Sequence, residues 1–484
     1  MNFKIVSYFL GWVLKIEAAA MVVPCVIAMA YGEADVWPWF LACIAFDAAV
    51  GFLMSNKKFK DGNFFVREGY VSTALGWILL SLVGAFPFFL SGRIPKYIDA
   101  LFEIASGFTT TGSSILADVE AMGYGLNMWR CLSHWLGGMG VLVLILAILP
   151  MNGGYHMQMM KAESPGPAVS KLVPRVGETA KMLYGIYFVL TVICILCYLI
   201  SGMPVFDAFC MGFGTAGTGG FAIRNSGLAD YSGLSQSFIT LFMILFGINF
   251  NVYFLLVRKD WKSALKCEEM RYFLSIVAAA IIILTLITFK SNYSGEGFYY
   301  AFHHSAFTVG SLISSTGYST VDFNVWPEFA KMILLLLMFC GACAGSTGGG
   351  FKVSRIVIIM KEAFRELHML IHPHSVKLVK FEGKPVEHSV IRSLNNYLII
   401  YVFIFLISIL LLSIDGFDFT TNFSATLATI DNIGPGLNAV GPTSNFAAYS
   451  WHSKIVLIFN MIAGRLELIP ILMLFYKNTW KKHF

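Results

Sequence analysis

Four short stretches hold the residues best suited to chemistry: Thr109-Thr110-Thr111-Gly112-Ser113-Ser114, Gly217-Thr218-Gly219-Gly220-Phe221, Ser315-Thr316-Gly317-Tyr318-Ser319 and Asn432-Ile433-Gly434-Pro435-Gly436. Each sets a glycine after a Thr or Ile, between two long apolar segments. Glycine accepts φ > 0 and carries no side chain, so consecutive carbonyls can turn toward one axis unobstructed. Rings of carbonyl oxygens that replace a hydration shell are a known means of selecting potassium. The expectation is a four-part carbonyl filter made of Thr110, Thr111, Gly112, Gly217, Thr218, Gly219, Ser315, Thr316, Gly317, Asn432, Ile433 and Gly434. Within it K⁺ would sit at Thr111, Thr218, Thr316 and Ile433. The sequence has no GxSxG, no HExxH and no paired aspartates at membrane depth, which argues against a hydrolase.

Apolar helices must position these stretches. The 484 residues are 57% hydrophobic and 13% charged, with a mean hydropathy of +0.71, whereas soluble domains carry about a quarter charged residues. That much apolar surface needs lipid as its solvent. About ten segments are long enough to cross a bilayer, which takes about 20 apolar residues as helix. The net charge of +6 is spread over short loops and not gathered on an amphipathic face, so nucleic acid is not an expected partner. The nine cysteines lie mostly inside apolar helices, and neither Cys194-x-x-Cys197 nor Cys340-x-x-Cys343 has a His or carboxylate at a ligand spacing. Buried free thiols are expected.

Residues 1–69 read as a transmembrane hairpin, with spans at 8–31 and 36–55 and no small-residue cleavage site. From residue 70 a three-part unit recurs about every hundred residues, a period that suits a duplicated domain and not a solenoid. Each unit has a spanning helix, a shorter apolar helix ending in one of the turns, and a second spanning helix. Unit 1 (70–150) places them at 70–92, 99–111 and 128–150, and unit 2 (151–257) at 181–202, 207–218 and 234–257. Unit 3 (258–362) places them at 270–289, 300–316 and 327–360, and unit 4 (363–484) at 390–413, 420–433 and 452–476. The expected fold class is an all-α polytopic membrane protein: four pseudo-repeated membrane-pore-membrane units around a central pore, plus an N-terminal helical hairpin. Most of the 34 Lys and Arg fall on one side of the spans, among them Lys57, Lys58, Lys60 and Arg67, while the other side holds acids such as Asp118, Glu120 and Asp230. The positive-inside rule makes the basic side cytoplasmic, with both termini there and all four turns entering from outside. Non-helical backbone at that depth must be covered by protein or line a water-filled cavity.

Two further features lie deeper. Gly341 to Gly350 holds five glycines within an otherwise helical run, each costing a helix about 1 kcal/mol against alanine. The run should break there, about 20 Å below the helix start, and its segment Gly345-Ser346-Thr347-Gly348-Gly349-Gly350 reads as an intramembrane gate. Consecutive glycines at 348–350 do not fit a one-face GxxxG packing seam. Arg465 lies at similar depth, where an arginine costs at least about 2.5 kcal/mol unless it faces water or a partner. It reads as part of the gate, placed where it can pair with carbonyls of the glycine-rich loop, the alternative being a structural salt bridge to another helix; Glu467 lies on another face of the helix. Asp99 and Asp207 suit the positive ends of the short helices, Asp431 braces the fourth turn, and His303-His304 packs without binding metal.

With these residues the chain resembles the Trk/Ktr/HKT superfamily of potassium transport proteins. Trp135-Leu136-Gly137-Gly138-Met139-Gly140, leading into Val141 to Pro150, is similar to that superfamily's first inner helix, and Gly341 to Gly350 resembles its intramembrane loop. The N-terminal hairpin resembles the TrkH branch. The resemblance covers essentially the whole chain and carries the superfamily's filter glycines onto Gly112, Gly219, Gly317 and Gly434. Superfamily members that favour sodium often have Ser at the first of these positions, where this chain has Gly112. The resemblance implies channel-like uptake of K⁺, with Rb⁺ as a second ion, across a bacterial inner membrane, and no organic cofactor in this chain. It also implies a homodimer with one pore per subunit and a cytoplasmic nucleotide-binding (TrkA-like) regulatory ring. The alternative is a Na⁺- or H⁺-coupled potassium symporter using the same pore, since broken helices also serve transporters. Four units of one orientation, without inverted repeats, favour the channel-like reading.

Overall fold

The long apolar runs form the expected outer helices. In the computed structural model, which describes residues 1–56, 66–140, 176–375 and 377–481, they are Val66–Gly84 (extended by Phe86–Leu90), Val176–Ile200, Glu268–Ser291 and His388–Leu412. The short pore helices are Tyr97–Phe108, Val205–Gly217, Phe298–Ile313 and Phe419–Ile430. Each stops three residues before the end read from sequence in units 1, 3 and 4, and one residue before it in unit 2. Lys57, Lys58 and Lys60, Val141 to Pro150 and most of the unit 1 to unit 2 connection lie outside the described residues.

Inner helix 3 breaks at the glycine-rich loop as expected, whereas the other inner helices depart from the sequence reading. Each begins as a helix and then breaks: Gly123–Met139, Gly233–Phe246, Glu328–Cys340 and Trp451–Arg465. In unit 2 the chain turns by 91° and resumes as Phe250–Val257, restarted by Asn249, whose side chain accepts from Asn251 N–H. Unit 3 resumes at Val353–Ile371 after the glycine-rich loop, and unit 4 at Ile469–Phe475 after Glu467 and Leu468, both at positive φ. Six described helices, or seven counting the bent pair, are therefore long and apolar enough to cross a membrane, fewer than the ten segments read from composition.

The units close into a ring. Inner helix 1 packs on pore helix 2, inner helix 2 on pore helix 3, inner helix 3 on pore helix 4, and inner helix 4 back on pore helix 1. The N-terminal hairpin, Phe3–Ala30 and Trp37–Ser55, lies outside this ring against outer and inner helices of unit 1. Its two helices cross closely at Gly11 and Gly51, where a Cβ on either glycine would lie 2.8 Å from the other's carbonyl oxygen. Small residues that bring backbones together are what hold helices to one another in lipid.

Candidate ion pathway

All four pore helices end in the same way. Thr110, Thr218, Ser315 and Asn432 take left-handed φ of 55°, 54°, 59° and 54°, and the residue after each donates its N–H to a carbonyl five residues back. These bonds are Thr111 to Ser106 at 2.9 Å, Gly219 to Gly214 at 2.8 Å, Thr316 to Ser311 at 2.8 Å and Ile433 to Ala428 at 2.8 Å. This is the Schellman ending of a helix, usually made by glycine; a side chain there costs roughly 1–2 kcal/mol. One residue further, Gly112, Gly220, Gly317 and Gly434 take φ of 82°, 83°, 82° and 106°.

This geometry corrects the register of the second turn. Gly219, read from sequence as the partner of Gly112, occupies the position of Thr111, Thr316 and Ile433, and Gly220 is the partner of Gly112. Thr218 accordingly matches Thr110 and not Thr111, and Gly217 sits one position further back, inside the pore helix. The reason is the left-handed residue, which ends each helix two positions before the glycine and so fixes the count.

The four turns meet in a closed cycle. A side chain at Gly112 would collide with the carbonyl oxygen of Gly219, at Gly220 with that of Thr316, at Gly317 with that of Ile433, and at Gly434 with that of Thr111 at 2.8 Å. Those four carbonyl residues are buried, and among the described residues none of the four carbonyls accepts a hydrogen bond. Buried carbonyls are normally paired, so this ring offers four acceptors to a cation. The neighbouring side chains turn back into the protein: the Thr111 hydroxyl meets that of Thr109 at 2.8 Å, and the Thr316 hydroxyl meets that of Ser314 at 2.7 Å. Asn432 bridges units, donating to Thr111 Oγ1 and to the Met461 carbonyl, both at 2.9 Å.

A buried brace that the sequence reading missed supports turns 1 and 2. Glu103 and Arg130 are 0% and 1% exposed. Their salt bridge is 2.8 Å long, and the other Glu103 oxygen takes the Ile115 N–H at 3.0 Å. Arg130 also reaches Asn127 at 2.9 Å and the Ala222 carbonyl at 3.2 Å, and lies 4.2 Å from the Phe221 ring. His134 joins the same two turns, contacting the Gly107 carbonyl at 2.8 Å and accepting from Phe221 N–H at 3.2 Å. Glu103 lies twenty-seven residues from Arg130, a separation without helical or turn periodicity to betray it. Arg130→Met strands a buried carboxylate, and the expected loss is about 3–5 kcal/mol. A lower midpoint of thermal inactivation in detergent checks this; an unchanged midpoint would show that the pair does not brace the turns. In the loops after turns 1 and 2, the Asn225 side chain and the N–H groups of Ala121 and Glu120 hold Asp118 below the usual carboxylate range, tying units 1 and 2 together.

The glycine-rich loop lies against the deep ends of turns 3 and 4. Gly349 N–H donates to Ser315 Oγ at 2.5 Å. A Cβ at Gly348 would lie 2.8 Å from the Ser314 carbonyl oxygen, and one at Gly349 would meet that of Asp431. Gly341, Gly345, Gly350 and Lys352 take positive φ. Thr347 donates to the Phe246 carbonyl at 3.2 Å, Ser346 to that of Cys343 at 2.7 Å, and the Lys352 ammonium to that of Gly348. Arg465 reaches across the ring, donating to the Thr347 carbonyl at 2.9 Å, to that of Gly138 at 2.6 Å and to that of Gly137. Gly137 and Gly138 lie in the last described turn of inner helix 1, so Arg465 ties that helix to the loop. Glu467 pairs with Arg355. A cavity of about 1070 Å³ opens beneath, lined by Gly138, Gly345, Gly348, Lys352, Arg465 and Glu269 among others.

The remaining sequence candidates have ordinary partners. Asp99 bonds Lys454 at 2.6 Å and Asp207 bonds Arg224 at 2.7 Å, so both acids serve in ion pairs, and neither makes a side-chain cap hydrogen bond. Asp431 accepts from Tyr401 at 2.9 Å. His303 meets Gln236 at 2.8 Å and His304 meets Thr320 at 2.9 Å. All nine cysteines are free, most of them buried.

Four half-length helices whose turns close one carbonyl ring, surrounded by broken inner helices, define a pore-type membrane transport protein. The sequence profile of the TrkH cation transport protein family matches residues 36–482. The chain is 34% identical to the Trk system potassium uptake protein TrkH of Salmonella typhimurium and of Escherichia coli K12, each alignment covering 100% of both chains. The potassium uptake protein TrkG of E. coli K12 is 32% identical over 99% of each. The crystal structure of the potassium transporter TrkH from Vibrio parahaemolyticus superposes with a TM-score of 0.88 at 29% identity, over 99% of this chain and 100% of that one. The chain belongs to the TrkH family of cation transport proteins, which are transport proteins and not enzymes.

Proposed function

We propose that the chain is a potassium uptake protein of the Trk system whose selectivity filter is the ring formed by Thr111, Gly219, Thr316 and Ile433 carbonyls, flanked by Gly112, Gly220, Gly317 and Gly434. The observation that carries this reading is the closed cycle of four glycine-to-carbonyl contacts with no hydrogen-bond donor on those carbonyls. A dehydrated monovalent cation is the ligand such a ring suits, and the full-length relatives are potassium uptake proteins by name. The loop 345–350 is the gate and Arg465 its clasp, since both lie directly behind the ring and a fixed positive charge there repels an entering cation. The basic loops put that side in the cytoplasm of a bacterial inner membrane, with both termini there. The family resemblance supports a homodimer and a nucleotide-binding regulatory ring on the cytoplasmic face.

Flux into proteoliposomes with K⁺, Rb⁺, Na⁺ and Li⁺ tests this. K⁺ and Rb⁺ should enter faster than Na⁺ and Li⁺, with current rising linearly with K⁺. Saturation at slow turnover, or a requirement for a Na⁺ or H⁺ gradient, would support the coupled symporter instead. Gly112→Ser should slow K⁺ entry, because its Cβ would meet the Gly219 carbonyl oxygen, and should narrow the preference for K⁺ over Na⁺ in the flux that remains; an unchanged preference would count against Gly112 as part of the filter.

A further inference from the structure

One carboxylate holds both ends of the intramembrane loop. Glu269, on the outer helix of unit 3, is 2% exposed. It accepts from Ala344 N–H at 2.7 Å and from Ser354 N–H at 3.2 Å, residues on either side of the Gly345 to Gly350 stretch. It also accepts from the Asn249 side-chain amide at 3.3 Å, at the break of inner helix 2. Two backbone bonds add to this: Cys343 N–H to the Gly247 carbonyl and Phe250 N–H to the Gly345 carbonyl, both at 3.0 Å. The anchors are fixed to units 2 and 3, and the glycines between them are free of side chains that would resist rotation.

The backbone of the same residue is gripped from the other direction. The helix Glu268–Ser291 starts without a side-chain cap of its own, and the first N–H groups of a helix need partners from outside. Glu382, at the tip of a small hairpin formed by Lys380–Phe381 and Lys384–Pro385, supplies one. Its Oε1 accepts from Glu269 N–H at 3.1 Å and from the Cys267 thiol at 3.3 Å. Glu382 N–H donates in return to Glu268 Oε2 at 3.0 Å. The negative charge of Glu382 also suits the positive end of the helix. Glu382 is exposed, with left-handed φ of 50°, so it is open to forces from the aqueous side.

We propose that Glu269 is a positioning residue through which the hairpin 380–385 sets the placement of the intramembrane loop. With Glu382 on the helix N-terminus, the Glu269 side chain clamps both loop ends and the path is closed. Lifting the hairpin releases that N-terminus, shifts Glu269, and frees the loop beneath the ring. The inference rests on the reading of the loop as the gate.

Flux through the full chain in proteoliposomes tests it. Glu382→Cys sets a thiol beside Cys267, where a short bis-methanethiosulfonate reagent can bridge the two and fix the hairpin to the helix. Without the bridge, K⁺ flux should exceed that of the native chain. With it, flux should fall by at least about fivefold, the lower end of ordinary coupling between sites, and reductant should restore it. The same chain carrying Cys267→Ser should not respond to the reagent. A merely structural role for Glu382 would not give reversible, bridge-dependent flux. Flux indifferent to the bridge, while shortening of Gly345 to Gly350 still raises it, overturns the coupling and leaves the gate standing. If shortening the loop also has no effect, the gate reading falls as well.

Discussion

Gly220→Ala is expected to lower K⁺ uptake by about tenfold or more. The left-handed backbone at φ 83° costs a side chain about 1–2 kcal/mol, and about 1.4 kcal/mol is tenfold in an equilibrium. The larger effect is steric. The new methyl would occupy the place of the Thr316 carbonyl oxygen, pushing one of four ring acceptors off its position. Gly219→Ala is the informative contrast. Its methyl would meet the His134 ring behind the turn, so it should reduce the amount of folded protein while the selectivity of what folds is kept. Initial rates of K⁺ and Na⁺ entry, normalised to folded protein, separate the two. If Gly219→Ala changed the ion preference and Gly220→Ala did not, the register assigned to the second turn would be wrong.

The second large effect is expected at Arg465, in the opposite direction. Its guanidinium holds the Thr347, Gly137 and Gly138 carbonyls, and hydrogen bonds to charged groups contribute about 1.5–3 kcal/mol each. Arg465→Gln keeps much of the length but removes the charge and most of the donors. On the proposed reading of the loop as the gate, loosening even one such bond would shift its closed-to-open balance by about tenfold or more at 1.4 kcal/mol per decade, so K⁺ flux per folded molecule should rise by that order. A variant shortened within Gly345 to Gly350 should also conduct more, and combining the two should add little, because both act on the same element. Flux that falls in proportion to folded protein would make Arg465 a structural tie to inner helix 1 and nothing more.

Much of this was legible in the sequence. The outer helices and the four-unit repeat follow from length and hydropathy, and the position of the glycine-rich break follows from the cost of glycine in a helix. The expense of a charge at that depth calls for a partner or water at Arg465, and either loop carbonyls or an acid on another helix met that need until the structure placed the Thr347 carbonyl there. The second turn was misread because Gly219-Gly220 offers two candidate glycines, and only backbone dihedrals show that Thr218, like Thr110, is the left-handed residue. An alignment on the polar residue ending each helix, Thr110, Thr218, Ser315 and Asn432, would have found Gly220. The breaks in inner helices 2 and 4 were hidden for another reason. A single Gly247 before Asn249 is weak punctuation, and Glu467-Leu468 takes positive φ without any glycine. The braces were also beyond reach: Glu269 lies 75 residues from Ala344, and Lys352 looks like one more basic residue after an apolar run until its ammonium is seen on the Gly348 carbonyl.

The central claim is that four carbonyls, of Thr111, Gly219, Thr316 and Ile433, share one dehydrated cation. The most direct test is the anomalous scattering of Rb⁺ in crystals of the full chain grown with Rb⁺ in place of K⁺. A peak on the common axis, equidistant from those four oxygens and weakened in Gly220→Ala, is the expected result. A map with Rb⁺ bound elsewhere along the pathway and nothing within reach of the four carbonyls would contradict the account.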